Sequence, residues 1–167
     1  VVLAGDMLID FDLRDLIRKH LERQALGTLL LLDDPVRKRQ FGSIGLSSSG
    51  RVRRIANRLD LEQESSSGLF VGLRVFSPTL FEALPPDSGA GSFEDLTDWI
   101  GPILSRPDSP VYGEMLTPAE LQWVPIGTPE EYLAANLDPP AAPYLSTTPL
   151  AAPGAKTQSC SPPHSEL

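Results

Sequence analysis

The sequence predicts an α/β domain with a mixed, mainly parallel sheet and helices on both faces. Residues 1–4 are a short apolar run that predicts a buried strand, and residues 28–32 are a continuous apolar run that suits a strand covered on both faces of a parallel sheet. Between these runs, apolar residues recur with the spacing of an amphipathic helix. The chain of 167 residues carries 22 acidic and 14 basic residues and is 41% hydrophobic, a balance that favours a folded globular domain.

The first helix is predicted just after a turn at Gly5-Asp6, which closes the first strand. Asp12 is suited to cap its N-terminus, and Gly27 supplies a stop at its C-terminal end. The apolar stripe of this helix consists of Leu13, Leu16, Ile17 and Leu21. Because residues 28–32 form the next predicted strand, the segment is a strand–helix–strand unit, and Asp6 lies at the end of its first strand.

A β-hairpin is predicted next, with a turn at residues 47–50 between two partly alternating runs within residues 41–55. The later predicted elements are a strand over 69–76, a helix from Ser77-Pro78 to residue 84, a helix over 92–104, strands over 111–115 and 121–126, and a helix over 128–136 with a capping box and Pro129 in its first turn. Strands and helices are thus interspersed up to the end of the domain at residue 137.

Residues 138–167 are predicted to form a separate, disordered C-terminal segment. They carry prolines at positions 139, 140, 143, 149, 153, 162 and 163, together with many Ser, Thr and Ala residues. Proline removes backbone donors, and the few large apolar side chains do not offset the entropy of ordering the segment. The predicted domain therefore covers residues 1–137.

Charge and cysteine content exclude several function classes. A net charge of −8 and an isoelectric point near 4.7 argue against nucleic acids and anionic membranes as partners. No apolar run approaches the roughly 20 residues that a membrane span needs. Cys160 is the single cysteine, which excludes an internal disulfide and favours the cytoplasm. Because the chain begins at Val1 without a methionine, we also expect it to be part of a longer protein.

Five motifs along residues 1–137 carry a resemblance to a known enzyme family. They are Val2-Leu3-Ala4-Gly5-Asp6; Phe41-Gly42-Ser43-Ile44 before Gly50-Arg51-Val52; Phe70-Val71-Gly72-Leu73-Arg74-Val75-Phe76-Ser77-Pro78; Ser92-Phe93-Glu94-Asp95; and Trp123-Val124-Pro125-Ile126-Gly127-Thr128-Pro129-Glu130-Glu131-Tyr132-Leu133. In this order the motifs resemble the C-terminal half of the sugar-1-phosphate nucleotidyltransferases, or NDP-sugar pyrophosphorylases, including the mannose-1-phosphate guanylyltransferase-like members.

The resemblance implies a Rossmann-like sheet on which a sugar 1-phosphate attacks the α-phosphate of a nucleoside triphosphate, with Mg²⁺ assistance, to give an NDP-sugar and pyrophosphate. The matching positions imply that Asp6 is a metal ligand and that Asn57, Arg58 and Gly72 contact the substrate. Mg²⁺ commonly binds one or two carboxylates plus phosphate oxygens and water, so Asp6 at a strand end is a reasonable half-site. Ligands of open α/β sheets also bind beyond the carboxyl ends of strands.

Three departures from the family pattern bear on activity. The Gly-rich, Arg-containing loop that holds the triphosphate precedes the Gly-Asp motif in the family, and nothing here resembles it. Asn57 and Arg58 stand where the family usually carries an acidic residue and a lysine, and Pro125 stands where it carries a second metal-binding aspartate. Arg58 keeps a cation but presents a planar fork instead of a compact ammonium.

Structural roles compete with the functional ones at several positions. Asp6 is either a metal ligand or a loop aspartate, and Gly72 either admits a sugar or marks a bulge. His20 is interpreted as a packing or surface residue. Trp99 and Trp123 fit the core better than a sugar-stacking role. The basic cluster either meets phosphates or forms a solvated hairpin face, which is the commoner arrangement, and it consists of Arg51, Arg53, Arg54 and Arg58.

The sequence leaves two functions open. The chain is either the C-terminal half of an active nucleotidyltransferase, whose N-terminal half supplies the triphosphate loop, or a catalytically degenerate homologue that serves as a regulatory or assembly module. Asn57 and Pro125 favour the second function. The sequence also leaves open the sugar, the nucleotide and the oligomeric state.

Overall fold

The computed structural model describes residues 1–85, 93–106 and 108–144. Its elements are β1 (Val2–Leu3), β2 (Met7–Asp10), α1 (Leu13–Glu22), β3 (Gly27–Leu32), α2 (Pro35–Phe41), β4 (Ile44–Leu46), β5 (Val52–Ile55), β6 (Leu59–Asp60), β7 (Ser66–Phe76), a 3₁₀-helix (Pro78–Ala83), a π-helical turn (Asp95–Ile100) continued by α3 (Gly101–Leu104), β8 (Val111–Leu116), β9 (Gln122–Pro125) and α4 (Pro129–Leu137). The α/β fold class is confirmed, and the predicted strands and helices occur in the predicted order, although β2, α2 and β6 were not predicted.

Most strands in the described part of the chain belong to one mixed sheet. Its strands follow the order β6-β5-β4-β7-β3-β8. β1 and β4 pair with the same edge of β7, β4 with residues 66–68 and β1 with residues 73–74. Strands β2 and β9 form a separate antiparallel pair. β1 and β3 run in the same direction and are joined by α1, as predicted, but β7 lies between them and is antiparallel to both.

The strand directions correct one part of the prediction. Among the pairings that the structure describes, only β3 with β8 is parallel, so the sheet is mainly antiparallel. The continuous apolar run of β3 is fully buried, as predicted, because helices cover both faces of the sheet at this strand. That burial does not depend on strand direction, which is why the apolar run did not reveal the antiparallel neighbour.

Alternate leucines of β3 divide the core into two clusters. Leu29 and Leu31 face the π-helical turn and α3, together with the hairpin strands β4 and β5. Leu30 and Leu32 face α1 and the β2–β9 pair. All four leucines are at most 2% exposed, and full burial of such a side chain stabilises the fold by about 1.5–3 kcal/mol. The predicted helices on both faces are therefore confirmed.

The sheet curls until the tip of the β4–β5 hairpin meets β8, the strand at the other end. The backbone N–H of Gly113 donates to the Gly50 carbonyl over 2.9 Å, and Arg51 forms an antiparallel bridge with Tyr112. A side chain at Gly113 would collide with Leu31 and Leu46. This close approach encloses the first of the two clusters and makes the sheet a half-barrel.

Two local predictions are wrong in detail. α1 begins at the predicted cap, where Asp12 accepts the N–H groups of Arg14 and Asp15, but it ends at Glu22, and Gly27 is the first residue of β3. The segment after β3 forms α2, which was not predicted. Asp34 caps it, and Pro35 lies in its first turn. Its sequence has no apolar stripe, because none of its residues is buried and no apolar face is needed.

Part of the predicted C-terminal segment is described by the structure. The backbone N–H of Tyr144 donates to the buried Asp10 carboxylate over 3.1 Å, so residues 138–144 reach back to β2. Residues 145–167, including Cys160, lie outside the described residues. No helix in the described part of the chain is both long and apolar enough to cross a membrane.

His20 is a buried packing residue, as interpreted from the sequence. It is 3% exposed, and its ring nitrogens contact Thr28 Oγ1 at 2.8 Å and Ser77 Oγ at 3.1 Å. The Ser77 hydroxyl donates to the Ala25 carbonyl, so it accepts from Nε2, and Nδ1 accepts from Thr28. Burial lowers the pKa of His20 below its usual 6.5 and favours the neutral ring.

We expect the stability of the domain to fall as the pH drops below the usual histidine range. Because the folded-state pKa of His20 is lowered, the unfolded chain binds more protons below about pH 6.5, and the stability present above that pH is lost as the pH falls toward the folded-state pKa. The measurement is urea unfolding at pH 7.5 and 5.5 of the wild type, His20→Gln and His164→Gln. An equal loss of stability in all three proteins would contradict the assignment.

Candidate functional site

The turn that carries Asp6 lies directly beside Pro125, the last residue of β9. β2 and β9 pair with Met7 opposite Pro125, and the Ile126 backbone N–H donates to the Asp6 carbonyl over 2.9 Å. Asp6 is exposed, and its carboxylate follows the short strand β1. The structure thus brings together two positions that are 119 residues apart (125 − 6) and that the resemblance assigns to one metal site.

Gly72 occupies a bulge of β7 beside the same turn. The pairing of β3 with β7 shifts between Leu29 and Leu31, and Gly72 adopts φ +76° at this irregularity. A Cβ here would contact the Met7 thioether and lie 3.1 Å from Ala4 Cβ. The glycine is therefore required by a bulge, one of its two proposed roles, while its contact with a sugar stays a prediction.

Trp123 packs beneath Met7, the residue that contacts Gly72. It is 7% exposed, its Nε1–H donates to Met7 Sδ over 3.4 Å, and Met7 in turn packs against Gly72. Two residues of α2 cover the indole: Phe41 meets its edge, and the Arg37 guanidinium lies 5.3 Å from its ring centroid. The core role predicted for Trp123 is confirmed, and the residue links α2 to the Asp6 turn.

Asn57 and Arg58 lie in an exposed turn between β5 and β6. Arg54 shapes this turn, because its guanidinium donates to the carbonyls of Ser43 and Ala56, each over 3.0 Å, and forms a two-point pair with Glu64. Hydrogen bonding to Glu64 raises the pKa of Arg54 and so stabilises its charged form. Arg54 therefore ties the turn that carries both predicted substrate residues to Ser43 and Glu64.

The turn is joined to β7 by two adjacent carboxylates that sequence reasoning did not assign to the site. Glu94 pairs with Arg58, and Asp95 pairs with Arg74, which lies two residues beyond Gly72. Arg74 also stands opposite Val2 of β1. Both carboxylates belong to the Ser92-Phe93-Glu94-Asp95 motif, so the motif was recognised, but its ion pairs depend on the curl of the sheet.

The basic cluster is satisfied within the protein. Arg54 pairs with Glu64 and Arg58 with Glu94, Arg51 lies 3.7 Å from the Asp108 carboxylate, and Arg53 donates to the carbonyls of residues 61 and 62. Each of these arginines has a partner within the described residues, and phosphate binding by the cluster stays a prediction.

Comparison with known proteins identifies the family of the chain. A family model described as nucleotidyl transferase matches residues 1–140. The chain belongs to the nucleotidyltransferase family. The motifs resemble the sugar-1-phosphate type within this family, and the chain is 26% identical over 136 residues to a UTP–glucose-1-phosphate uridylyltransferase from Synechocystis sp.. Among solved structures, a protein assigned as a glucose-1-phosphate thymidylyltransferase from Bacillus anthracis matches with a TM-score of 0.48 and 17% identity.

The nucleotidyltransferase chain covers only part of these relatives. The matches include 81% of this chain in both comparisons, but 33% of the Synechocystis protein and 52% of the Bacillus anthracis chain. The family model confirms the resemblance over residues 1–140, whereas a preference for a guanine nucleotide stays a prediction.

The Asp6 carboxylate fits a partial Mg²⁺ site. Asp6 supplies one exposed carboxylate, and Pro125 supplies neither charge nor a side-chain oxygen. Within the described residues, no group of three or more Asp, Glu, His or Cys side chains could hold a metal ion. Mg²⁺ that keeps several waters and binds phosphate oxygens needs only one or two protein carboxylates, so Asp6 alone suits an ion that arrives with a nucleotide.

A cleft of about 220 Å³ lies elsewhere, between α1 and β8. Its walls include Lys19, which forms ion pairs with both Asp15 and Glu114, and Tyr144 also lines the cleft. None of the predicted site residues lines this cleft. It is therefore separate from the Asp6 turn.

Proposed function

We propose that this chain is part of a sugar-1-phosphate nucleotidyltransferase and forms the C-terminal half of its catalytic domain. The reaction joins a sugar 1-phosphate to a nucleoside triphosphate, giving an NDP-sugar and pyrophosphate. The observation that carries the proposal is the meeting of Asp6, Gly72 and Pro125, which come from distant motifs and correspond to one site in the family. Accidental motif matches would have no reason to converge in space.

The roles we propose follow from the chemistry of each side chain. Asp6 would hold Mg²⁺, which when bound neutralises negative charge on the phosphate oxygens. Arg58 would pair with the phosphate of the sugar 1-phosphate through its planar fork. Asn57 would offer an amide to sugar hydroxyls, and the bulge at Gly72 would let the sugar approach the backbone of β7.

The exposed edge of the sheet supports the second half of the proposal. β1 pairs with β7 along one side only among the described strands, and Val1, Val2 and Leu3 are 61%, 40% and 49% exposed. Unpaired strand edges with apolar side chains favour pairing with another strand. Strands of the N-terminal half would cover this edge and bring the triphosphate loop beside Asp6.

We expect the isolated 167-residue chain to have no measurable pyrophosphorylase activity. Phosphoryl-type transfer depends on positioning and on charge stabilisation, and the groups that bind the triphosphate are missing from this sequence. The measurement is Mg²⁺-dependent release of pyrophosphate from nucleoside triphosphates with a panel of sugar 1-phosphates. Clear turnover by the isolated chain would contradict the proposed division of the site.

A catalytically degenerate homologue is the second candidate. Pro125 in the position of a metal-binding aspartate, and Asn57 in that of an acidic residue, favour it. The same assay on a longer chain that includes the upstream coding sequence separates the two candidates. Turnover by the longer chain supports the enzyme, and a folded longer chain without turnover supports the regulatory or assembly module.

A further inference from the structure

We propose that Glu94 is an internal counter-ion that a substrate phosphate displaces from Arg58, so that Glu94 sets the affinity of the site for phosphate monoesters. This inference rests on the proposed function, because it takes Arg58 as the residue that binds the phosphate of a sugar 1-phosphate. The structure adds a fact that the motifs did not contain: the Arg58 guanidinium is already paired with a carboxylate.

The Glu94 carboxylate is held in place by local hydrogen bonds. Thr97 Oγ1 donates to Glu94 Oε2 over 2.8 Å, and the Glu94 backbone N–H donates to Asp98 Oδ2 over 2.8 Å. The adjacent Asp95 is anchored to β7 through Arg74. These contacts position the side chain and the backbone of Glu94 beside Arg58.

The two neighbouring ion pairs differ in exposure, and this difference determines which one a ligand can open. The side chains of Arg74 and Asp95 are 16% and 24% exposed, whereas those of Arg58 and Glu94 are 59% and 45% exposed. Exposed pairs contribute about 0–1 kcal/mol, so little free energy opposes their separation. The inner pair holds the segment in place while the outer pair exchanges its anion.

A phosphate monoester can replace Glu94 because it offers the same chemistry with more charge. Carboxylate and phosphate oxygens both accept paired hydrogen bonds from the guanidinium fork, and a phosphate monoester carries up to two negative charges. Glu94 both competes for Arg58 and repels the incoming phosphate. Its loss should therefore strengthen phosphate binding, although it removes an ion pair from the folded protein.

The test is an NMR titration of the 167-residue chain that follows the backbone amide signals of residues 57–59 in every variant, and the Arg58 Nε–H signal where Arg58 is present. The probes are inorganic phosphate and glucose 1-phosphate, with glucose as the uncharged reference. We expect Glu94→Gln to lower the Kd of both phosphate compounds by about three- to tenfold. Tighter binding of glucose 1-phosphate than of inorganic phosphate would identify a sugar phosphate, and equal binding would identify phosphate alone as the ligand.

Matched variants separate the ion pair from net charge. Glu62→Gln removes one negative charge from the exposed β6–β7 connection, where the Glu62 backbone contacts Arg53, and it should leave the Kd nearly unchanged. Arg58→Gln should weaken phosphate binding, and adding Glu94→Gln to it should restore nothing.

Three results would overturn the inference: equal Kd values for the wild type and Glu94→Gln, an equal gain in Glu62→Gln, or a gain that persists without Arg58. Absence of phosphate binding in every variant would also overturn it. The proposed function is tested separately by turnover of the longer chain, so a failure of one is distinguishable from a failure of the other.

Discussion

Asp6→Ala should reduce the turnover of the longer protein by about 100-fold or more, because removal of one group that stabilises charge in a phosphoryl-type transfer has effects of this size. Asp6 lies beside Pro125, which stands opposite Met7 and supplies no side-chain ligand. The measurement is turnover against Mg²⁺ concentration. Asp108→Ala, which removes a carboxylate that is 99% exposed beside Arg51, is the matched control and should leave turnover unchanged.

Pro125→Asp should act in the opposite direction in the same assay. A second carboxylate beside Asp6 would replace water on the ion, lower the Mg²⁺ concentration that gives half-maximal turnover and raise the turnover itself. Pro125→Ala separates this gain from the loss of the fixed φ of proline. If the wild type is fully active, insensitive to Asp6→Ala and not improved by Pro125→Asp, the metal assignment of both turns is wrong.

Gly72→Ala should lower the free energy of unfolding by about 2–4 kcal/mol. The substitution places a Cβ against Met7 and Ala4 inside a packed bulge, and it forces a φ of +76° on a residue that rarely adopts it. Gly5→Ala is the matched control, because a Cβ at Gly5 meets nothing within 4 Å and should change stability little. Urea unfolding of the three proteins provides the comparison.

The double variant Met7→Ala/Gly72→Ala divides the Gly72 effect into its two causes. Shortening Met7 relieves the collision, so the double variant should lose less stability than the sum of the two single variants, while the cost of the positive φ remains. Additive losses would show that Met7 does not press on this position.

Local signals were sufficient for the elements that carry the site. The apolar run before Gly5 predicted β1, although its predicted burial is wrong because Val2 and Leu3 are 40% and 49% exposed. The capping box at Thr128 predicted α4, where Thr128 Oγ1 accepts the Glu131 N–H and Glu131 accepts the Thr128 N–H. Helix caps and apolar runs are properties of neighbouring residues, so they can be predicted without the fold. α2 was missed because it buries none of its residues and has no apolar stripe to detect.

The partners of the site residues could not be predicted in this way. Glu94 is 36 residues from Arg58, and the pair forms only after the hairpin has folded back and the π-helical turn has packed on the sheet. The same holds for Met7, whose contact with Gly72 depends on the bulge in β7. The family resemblance identified which positions share a site, but it contained no information on how this chain satisfies their charges.

The sequence by itself determined the alternation of strands and helices, the buried run of β3, the capped starts of α1 and α4, and the motifs that assign the chain to its family. Each follows from side chains that lie close together along the chain. Only the tertiary structure decided strand direction, the curl that joins Gly50 to Gly113, and the neighbours of Asp6, Arg58 and Gly72. These features depend on contacts between distant segments, whose free energy is gained only when the two core clusters close around β3.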